Sequence, residues 1–474
     1  MNILLTGANG YIGRRLKHRL LNENGVNLRL FVKYGQTLTA QEKCEIVEGN
    51  TFDVASLDRA LEEIDVAYYL IHSMESPDYR RLDRESALNF REACIRAGVK
   101  RIIYLGGLGE KESASEHLLS RIETGEILSA RDEAVQTLWF RAGVIIGSGS
   151  ASFEIIRHLV EKLPFMITPR WVDTLCQPTA EKDVIEYLAL AAFLEHDGNV
   201  TIDIGSEVMS YRRLLLGYAE AVGLERFLIP VPFFTPKLSS YWLTLVTPVP
   251  YSVASALIEG LKSEVLVKND NAKRLFPSIN PIPYADAVKA AVEEIKNTQV
   301  LSRWSDASGA AWEVDHSALA DALFVDRRVL PLEEVSPHRM SETFCSIGGE
   351  NGWFGYEVLW TVRGLIDKLV GGYGLSRGRR DPNTLRIGDS VDFWKVVDLK
   401  TDERLLLYAQ MKLPGKAWLE FRISEGNLYQ TAYFYPHGLA GRLYWYALVP
   451  FHNLVFQTMA ANLLRRAKEE KNSD

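Results

Sequence analysis

Over the first 300 positions, short apolar runs alternate with stripes of helical spacing. Asn2 to Leu5 is a short apolar run ending in Thr6-Gly7, and YIGRRLKHRLL after it carries Ile12, Leu16 and Leu20 one helical turn apart. NLRLFVKYG, EKCEIVEGN, VAYYLIHSM, RIIYLGGLG and TLWFRAGVIIG read as five more strands, and LNFREACIRAGV as an amphipathic helix among them. This alternation predicts an α/β domain with a doubly wound parallel sheet. Around TQVLSRWSDASGAAWEVD the pattern changes: Trp304 is expected to close the first domain, and the Ser, Asp and Gly residues after it make a linker. Beyond it, VDFWKVVDL, RLLLYAQMKL, KAWLEFRIS and LYQTAYFYP read as consecutive strands, with Pro414-Gly415 as a tight turn. LYWYALVPFHNLVFQTMAANLLRRAKEEK reads as one long helix, with a bend expected at Pro450. The expected boundaries are 1–305, with a small substrate lobe over about 150–180 and 205–285, and 306–474, an α+β antiparallel-sheet domain closed by a long C-terminal helix.

Composition narrows the class. A net charge of −7 argues against a nucleic-acid partner. The cysteines Cys44, Cys94, Cys176 and Cys345 are far apart, which predicts reduced thiols and a cytoplasmic setting. No His or Cys pair has metal-ligand spacing, so no metal is expected. FLIPVPFFTPKLSSYWLTLVTPVPY, from Phe227, holds five prolines and Lys237, which argues against a transmembrane segment while leaving peripheral membrane contact open.

The first chemistry lies in TGANGYIG. Gly7, Gly10 and Gly13 stand between a strand and a helix, the arrangement that lets a pyrophosphate approach the backbone and meet a helix N-terminus. Asn9, Tyr11, Ile12 and Arg14 share that loop and complete the expected cradle. An NAD site usually ends its second strand in Asp or Glu, whereas this chain has Val32-Lys33. A cation there, with Arg14 beside it, favours NADP(H) over NAD(H); the alternative is a solvated strand-end lysine. Asn50 and Thr51 are expected to flank adenine, Ile71 and His72 to line the fourth-strand loop, and Gly106 and Gly107 to lie beneath the nicotinamide.

Together, TGANGYIG, VEGNTFD, AYYLIHSM, YLGGLG and FRAGVIIG resemble the short-chain dehydrogenase/reductase superfamily, on its extended or atypical side, over residues 1 to about 300. The resemblance implies a Tyr that moves the proton at the reacting carbonyl, a Lys four residues on, and a Ser. HLLSRIETGE puts His117 at the Tyr position, Arg121 at the Lys position and Glu126 near the helix glutamate. Arg121 keeps the charge but cannot share a proton near neutral pH, whereas an imidazolium at His117 has the acidity to protonate a reduced carbonyl. The plainer reading is that Arg121 anchors phosphate or an acidic neighbour and His117 lines the cleft. Tyr104 is a further candidate donor.

GVIIGSGSASFEIIRHLVEKLPFMITPRWVDTLCQPTAEKDV is similar to a bacterial subgroup of atypical members that keep the glycine motif, lack the standard catalytic residues and carry a C-terminal domain of unknown function, DUF2867. In the lobe, Phe153, Ile156, Leu159 and Val160 share one helix face, Glu154 and Arg157 are expected to border the cleft, and Trp171 and Gln177 are candidate pocket residues. Arg170 apart, the lobe is apolar and suits a hydrophobic or amphipathic small molecule. The C-terminal pattern resembles the helix-grip fold of START-like proteins. Seven of the ten tryptophans lie from Trp304 onward, to line a ligand cavity or fill a core. In GGYGLSRGRRDP, Arg377, Arg379 and Arg380 are expected to pair with Asp389, Asp392 or the first domain, or to hold an anionic group. The reading that follows is an NADP(H)-dependent oxidoreductase acting on a hydrophobic carbonyl, quinone or enone, with His117 as proton donor and Arg121 as anchor. The alternatives are a non-catalytic NADP(H)-responsive sensor or lipid/quinone-binding protein, and an epimerase of nucleotide sugars.

Overall fold

The computed structural model describes residues 1–33, 44–73, 78–168, 170–231, 263–297, 299–302 and 322–469, with 255, 259, 260 and 304. The chain divides into two compact units, 1–247 with 251–307, and 248–250 with 308–474.

The first unit is built on a seven-stranded sheet. Its strands are β1 (Asn2–Thr6), β2 (Asn27–Val32), β3 (Glu45–Glu48), β4 (Val66–Tyr69), β5 (Arg101–Gly107), β6 (Gln136–Ala142) and Val200–Ile204. From one edge the order is Val200–Ile204, β6, β5, β4, β1, β2, β3, and every pairing is parallel. The chain order reverses between β1 and β4, so the crevice of a doubly wound sheet opens at their carboxyl ends. Successive side chains serve opposite faces: Ile3 and Leu5 pack with Leu16 and Leu20 of α1 (Tyr11–Leu20), Leu4 with Leu57 and Phe90 of α2 (Val54–Leu61) and α3 (Tyr79–Ala97). Burial on both faces is why the central strands β1, β4 and β5 read as near-continuous apolar runs. Local chemistry marks the helix ends. Ser115 caps α4 (Glu116–Leu128) by accepting from Leu118 N–H, and Gly98, at φ +70°, ends α3.

In the lobe, Ala151–Lys162 is helical with Phe153, Ile156 and Val160 inward. Glu154 is buried too: it accepts from Gly149 N–H and is paired with Arg157 at 2.7 Å, so it belongs to the packing, not the rim expected from sequence. Gln177 gives its amide to Ser206 O and accepts from Val267 N–H, tying loops together. Trp171's side chain and most of 232–262 lie outside the described residues. Trp304 N–H reaches Gly149 O at 2.9 Å, which closes the first unit on itself.

The second unit has a six-stranded antiparallel sheet and a C-terminal helix, Gly438–Glu469, which runs on past Pro450. The connection expected as a tight turn at Pro414-Gly415, between Arg404–Ala409 and Gly415–Ser424, is a longer loop over 410–414, with Gly415 already paired with Pro436. The tight two-residue turn lies in the next hairpin, at Glu425-Gly426, with φ of +51° and +72° at its two positions. Two positive φ angles match the twist of a right-handed hairpin. An edge strand, Phe324–Pro331, pairs with Asn427–Pro436 and was not legible in the sequence. Trp353, Trp360, Phe393 and Trp394 pack on one another in the core, with ring centroids 5.0 to 6.3 Å apart. Arg380 meets Asp389 at 3.1 Å with both buried, and Arg379 donates to the carbonyls of Cys345, Ile347 and Asp381. Asp392 accepts from the Trp353 indole and Gly349 N–H.

Candidate functional site

The loop between β1 and α1 is fixed by steric necessity. Gly7 has φ +67°, and a Cβ on it would lie 2.3 Å from Leu70 O; a Cβ on Gly13 would lie 2.1 Å from Gly7 O. No side chain caps the helix at Gly10, and its first turn holds no acid, so its N–H groups and positive dipole end suit an anion. Thr6 latches the crevice, donating to Tyr68 O at 2.8 Å and accepting from Leu70 N–H. The cradle that these glycines leave fits a dinucleotide pyrophosphate. Arg14 bonds Asn9 O at 3.0 Å, which holds the loop's own backbone. Tyr11 and Ile12 are half-buried, and a cation stacks on Tyr11: Arg15 lies 4.8 Å from the ring centroid. Arg15 also reaches Ser148 and Glu181, whose carboxyl burial pushes up.

Lys33 is exposed at the end of β2. Asn50 accepts from Phe52 N–H in a local turn, and Thr51 is buried under a relay in which Tyr69 donates to Ser86 and Ser86 to Thr51, each at 2.8 Å. A Cβ at Gly106 would meet the Trp139 indole nitrogen at 2.6 Å, and one at Gly107 would meet Leu118 at 2.7 Å. Both glycines therefore admit neighbouring side chains to the floor of the crevice. Gly125 makes the matching notch for Trp139 from α4.

At the carboxyl ends of β4 and β5 the structure gathers His117, His72, Tyr79 and Arg121. The His117 ring lies 6.4 Å from exposed His72, edge to face, and 6.5 Å from Tyr79. Its Nε2 is buried without a hydrogen-bond partner. Burial, with the Arg121 guanidinium second, pushes its pKa down to about 4. The imidazolium expected from sequence is therefore not the form held near neutral pH; the group is a neutral imidazole. Arg121 donates to Leu105 O and lies over the Tyr104 ring, 5.6 Å from its centroid, while Tyr104 donates to Arg121 O at 2.9 Å. Tyr104 is thereby tied to α4 and buried, and its pKa is raised by burial, which removes it as an acid. Half-buried Ile71 packs against the apolar core that holds Tyr69, Phe90 and Tyr104, and Glu126 pairs with Lys111 in solvent.

Sequence reasoning passed over Asp83. It is buried on α3, accepts from Ser73 N–H at 2.7 Å and from Ser120 of α4 at 3.0 Å, and so binds the β4 loop to the helix that carries His117. The signal was there: Asp83 and Ser86 sit on the stripe that holds Ala87 and Phe90, polar residues at core positions.

Two family profiles match the sequence: NAD(P)H-binding over residues 7–139, and the protein of unknown function DUF2867 over 318–459. A relative from Streptomyces griseus, (4-alkanoyl-5-oxo-2,5-dihydrofuran-3-yl)methyl phosphate reductase, is 23% identical over 269 residues, covering 55% of this chain and 86% of that protein. Among solved structures, the Citrobacter sp. triphenylmethane reductase matches with a TM-score of 0.52 and 19% identity, over 62% of this chain and all of that one. The same enzyme complexed with NADP(H) matches with a TM-score of 0.50. A nucleoside-diphosphate-sugar epimerase from Staphylococcus aureus gives 0.51 and 16% identity over 61% of this chain and all of its own. At these identities the likeness is one of fold.

Proposed function

We infer that this chain, which matches an NAD(P)H-binding profile followed by a DUF2867 profile, is an NADPH-dependent reductase of the atypical short-chain kind, acting on a hydrophobic, conjugated acceptor, an enone or quinone. The observation that carries this reading is the buried, unpartnered Nε2 of His117 at the carboxyl ends of β4 and β5.

The loop of Gly7, Gly10 and Gly13 holds the pyrophosphate, and Lys33 with Arg14 faces the 2′-phosphate. When bound, the cofactor supplies a hydride. His117 acts as a neutral hydrogen-bond donor: it polarises the acceptor's oxygen through Nε2–H and stabilises the oxyanion that forms there. With a pKa of about 4 it is a poor proton store at neutral pH, so water supplies the proton afterwards. Conjugation suits this arrangement, because the enolate or phenolate oxygen of such an acceptor is far less basic than a simple alkoxide, so a neutral donor such as His117 would hold it until water supplies the proton. Arg121, bonded to Leu105 O, holds α4 against β5 and adds positive potential near that oxygen. The Streptomyces relative is a reductase of an alkanoyl-substituted oxo-dihydrofuran that also carries a methyl phosphate, a conjugated and amphipathic acceptor. The epimerase reading is weaker, since it needs the Tyr that His117 replaces.

The test is NADPH and NADH titration by fluorescence, followed by NADPH oxidation with a panel of quinones and apolar enones. Lys33→Ala should weaken NADPH binding about tenfold and leave NADH binding unchanged. His117→Ala should lower turnover by about 100-fold or more with NADPH affinity intact. Tight NADPH binding with no turnover on any acceptor would instead assign the chain to the sensor or carrier reading.

A further inference from the structure

We propose that the second unit docks on an anionic lipid surface through an apolar face formed by two of its helices. The helix Glu357–Leu369 buries Trp360, Gly364 and Asp367 on one side. Its other side is also apolar: Val358, Val362, Leu365 and Leu369 follow one another at helical spacing and are 48% to 74% exposed. A helix lying on a soluble core ordinarily turns polar residues to water at those positions. The first turns of Gly438–Glu469 repeat the pattern. Gly441 and Trp445 are buried, while Leu439, Leu443 and Tyr446 are 61% to 72% exposed.

The two stripes are neighbours. Arg363, on the first helix, bonds Tyr444 on the second and reaches Lys412 O at 3.5 Å. The Trp360 and Phe456 rings lie 6.4 Å apart beneath them.

Charge chooses the occupant. From Asn427 to Lys468 the sequence contains no Asp or Glu, although the whole chain has a net charge of −7. Both acids of the first helix are engaged: Glu357 accepts from Trp353 N–H at 2.7 Å, and buried Asp367 accepts from the N–H groups of Lys412 and Gly374. Among the described residues, Arg363, Arg442 and Lys412 are cations beside the stripes. An apolar strip with a basic margin matches the boundary between acyl chains and anionic headgroups. A second copy of the chain fits less well, because a two-fold contact would set this basic margin against itself. Among the described residues no helix is long and apolar enough to cross a membrane, so the contact is with the surface.

The experiment is sedimentation of the full chain with vesicles of phosphatidylcholine alone and of phosphatidylcholine mixed with phosphatidylglycerol, at low and high salt. Binding should appear with the anionic vesicles and weaken with salt. The double variant Leu365→Glu, Leu443→Glu should lower partitioning at least ~100-fold while circular dichroism and NADPH binding stay unchanged. Wild-type protein that stays in the supernatant overturns the proposal. So does a stable dimer in solution that the same two substitutions dissociate, because the face then belongs to a second copy.

Discussion

Replacing His117 by Leu tests the environment of the site without any substrate. An imidazole titrates at about 6.5 in the unfolded chain, and at about 4 in the folded one, where burial and Arg121 hold it down. Between those values the unfolded chain binds a proton that the folded chain does not, so this residue's contribution to stability falls as pH falls. The difference in proton affinity corresponds to about 2 kcal/mol lost between about pH 7 and about pH 5, with a ceiling of about 3 kcal/mol below the folded pKa. The variant lacks this term. Near neutral pH it should be as stable as wild type or more so, since the substitution removes a buried nitrogen without a partner. On acidification its relative stability should then rise by about 2 kcal/mol. Urea unfolding of both proteins across that pH range measures the difference directly, and every other titrating group cancels between them. Parallel stability curves would refute the reasoning, because His117 would then carry an ordinary solvated pKa. In activity the same environment predicts a turnover that is flat from about pH 6 to 8; a fall in rate centred near 6.5 would restore the imidazolium as acid.

Gly13→Ala puts a methyl group against Gly7 O, which a Cβ would approach to 2.1 Å, so NADPH binding should be lost by fluorescence titration. Thr6→Val removes both hydrogen bonds that join the ends of β1 and β4, and should cost about 1–3 kcal/mol in urea unfolding, with weaker cofactor binding. Asp389→Asn leaves Arg380 buried beside a neutral partner and should destabilise the second unit by about 3–5 kcal/mol, with NADPH binding retained.

Most of the parallel sheet was legible because its central strands are buried on both faces, so that ILLT, LFV and VAYY stand out as runs between glycines and helical stripes, whereas the edge strand Val200–Ile204, with Thr201 and Asp203 in it, was not. The glycine loop was legible for a similar reason, since Gly7 and Gly13 occupy places where nothing larger fits. The strand Phe324–Pro331 was not. Its burial alternates along its whole length at the edge of the sheet, and FVDRRVLP lies beside a stretch with no clear pattern. Proline and glycine punctuate the chain at Pro414-Gly415, where the connection is a longer loop over 410–414, whereas the tight turn of the next hairpin gives its first positive φ to Glu425, a residue type that does not announce it.

The site shows a different limit. Residue type alone assigned an acid role to His117, because an unperturbed imidazole titrates near neutrality. What sets its state is the company it keeps: α4 turns it into the end of the crevice, Asp83 fixes that helix to the β4 loop, and Arg121 sits one turn away with its guanidinium on the Leu105 carbonyl. None of these contacts is local except the Arg121 spacing, so the sequence carried the identity of the group but not its charge. A Tyr-to-His exchange at this position is thus a change of kind. A phenol with a lowered pKa is a proton store, whereas a neutral imidazole whose buried Nε2 has no partner is a fixed dipole. Under the reductase proposed above, that difference favours an acceptor that needs a donor and no stored proton.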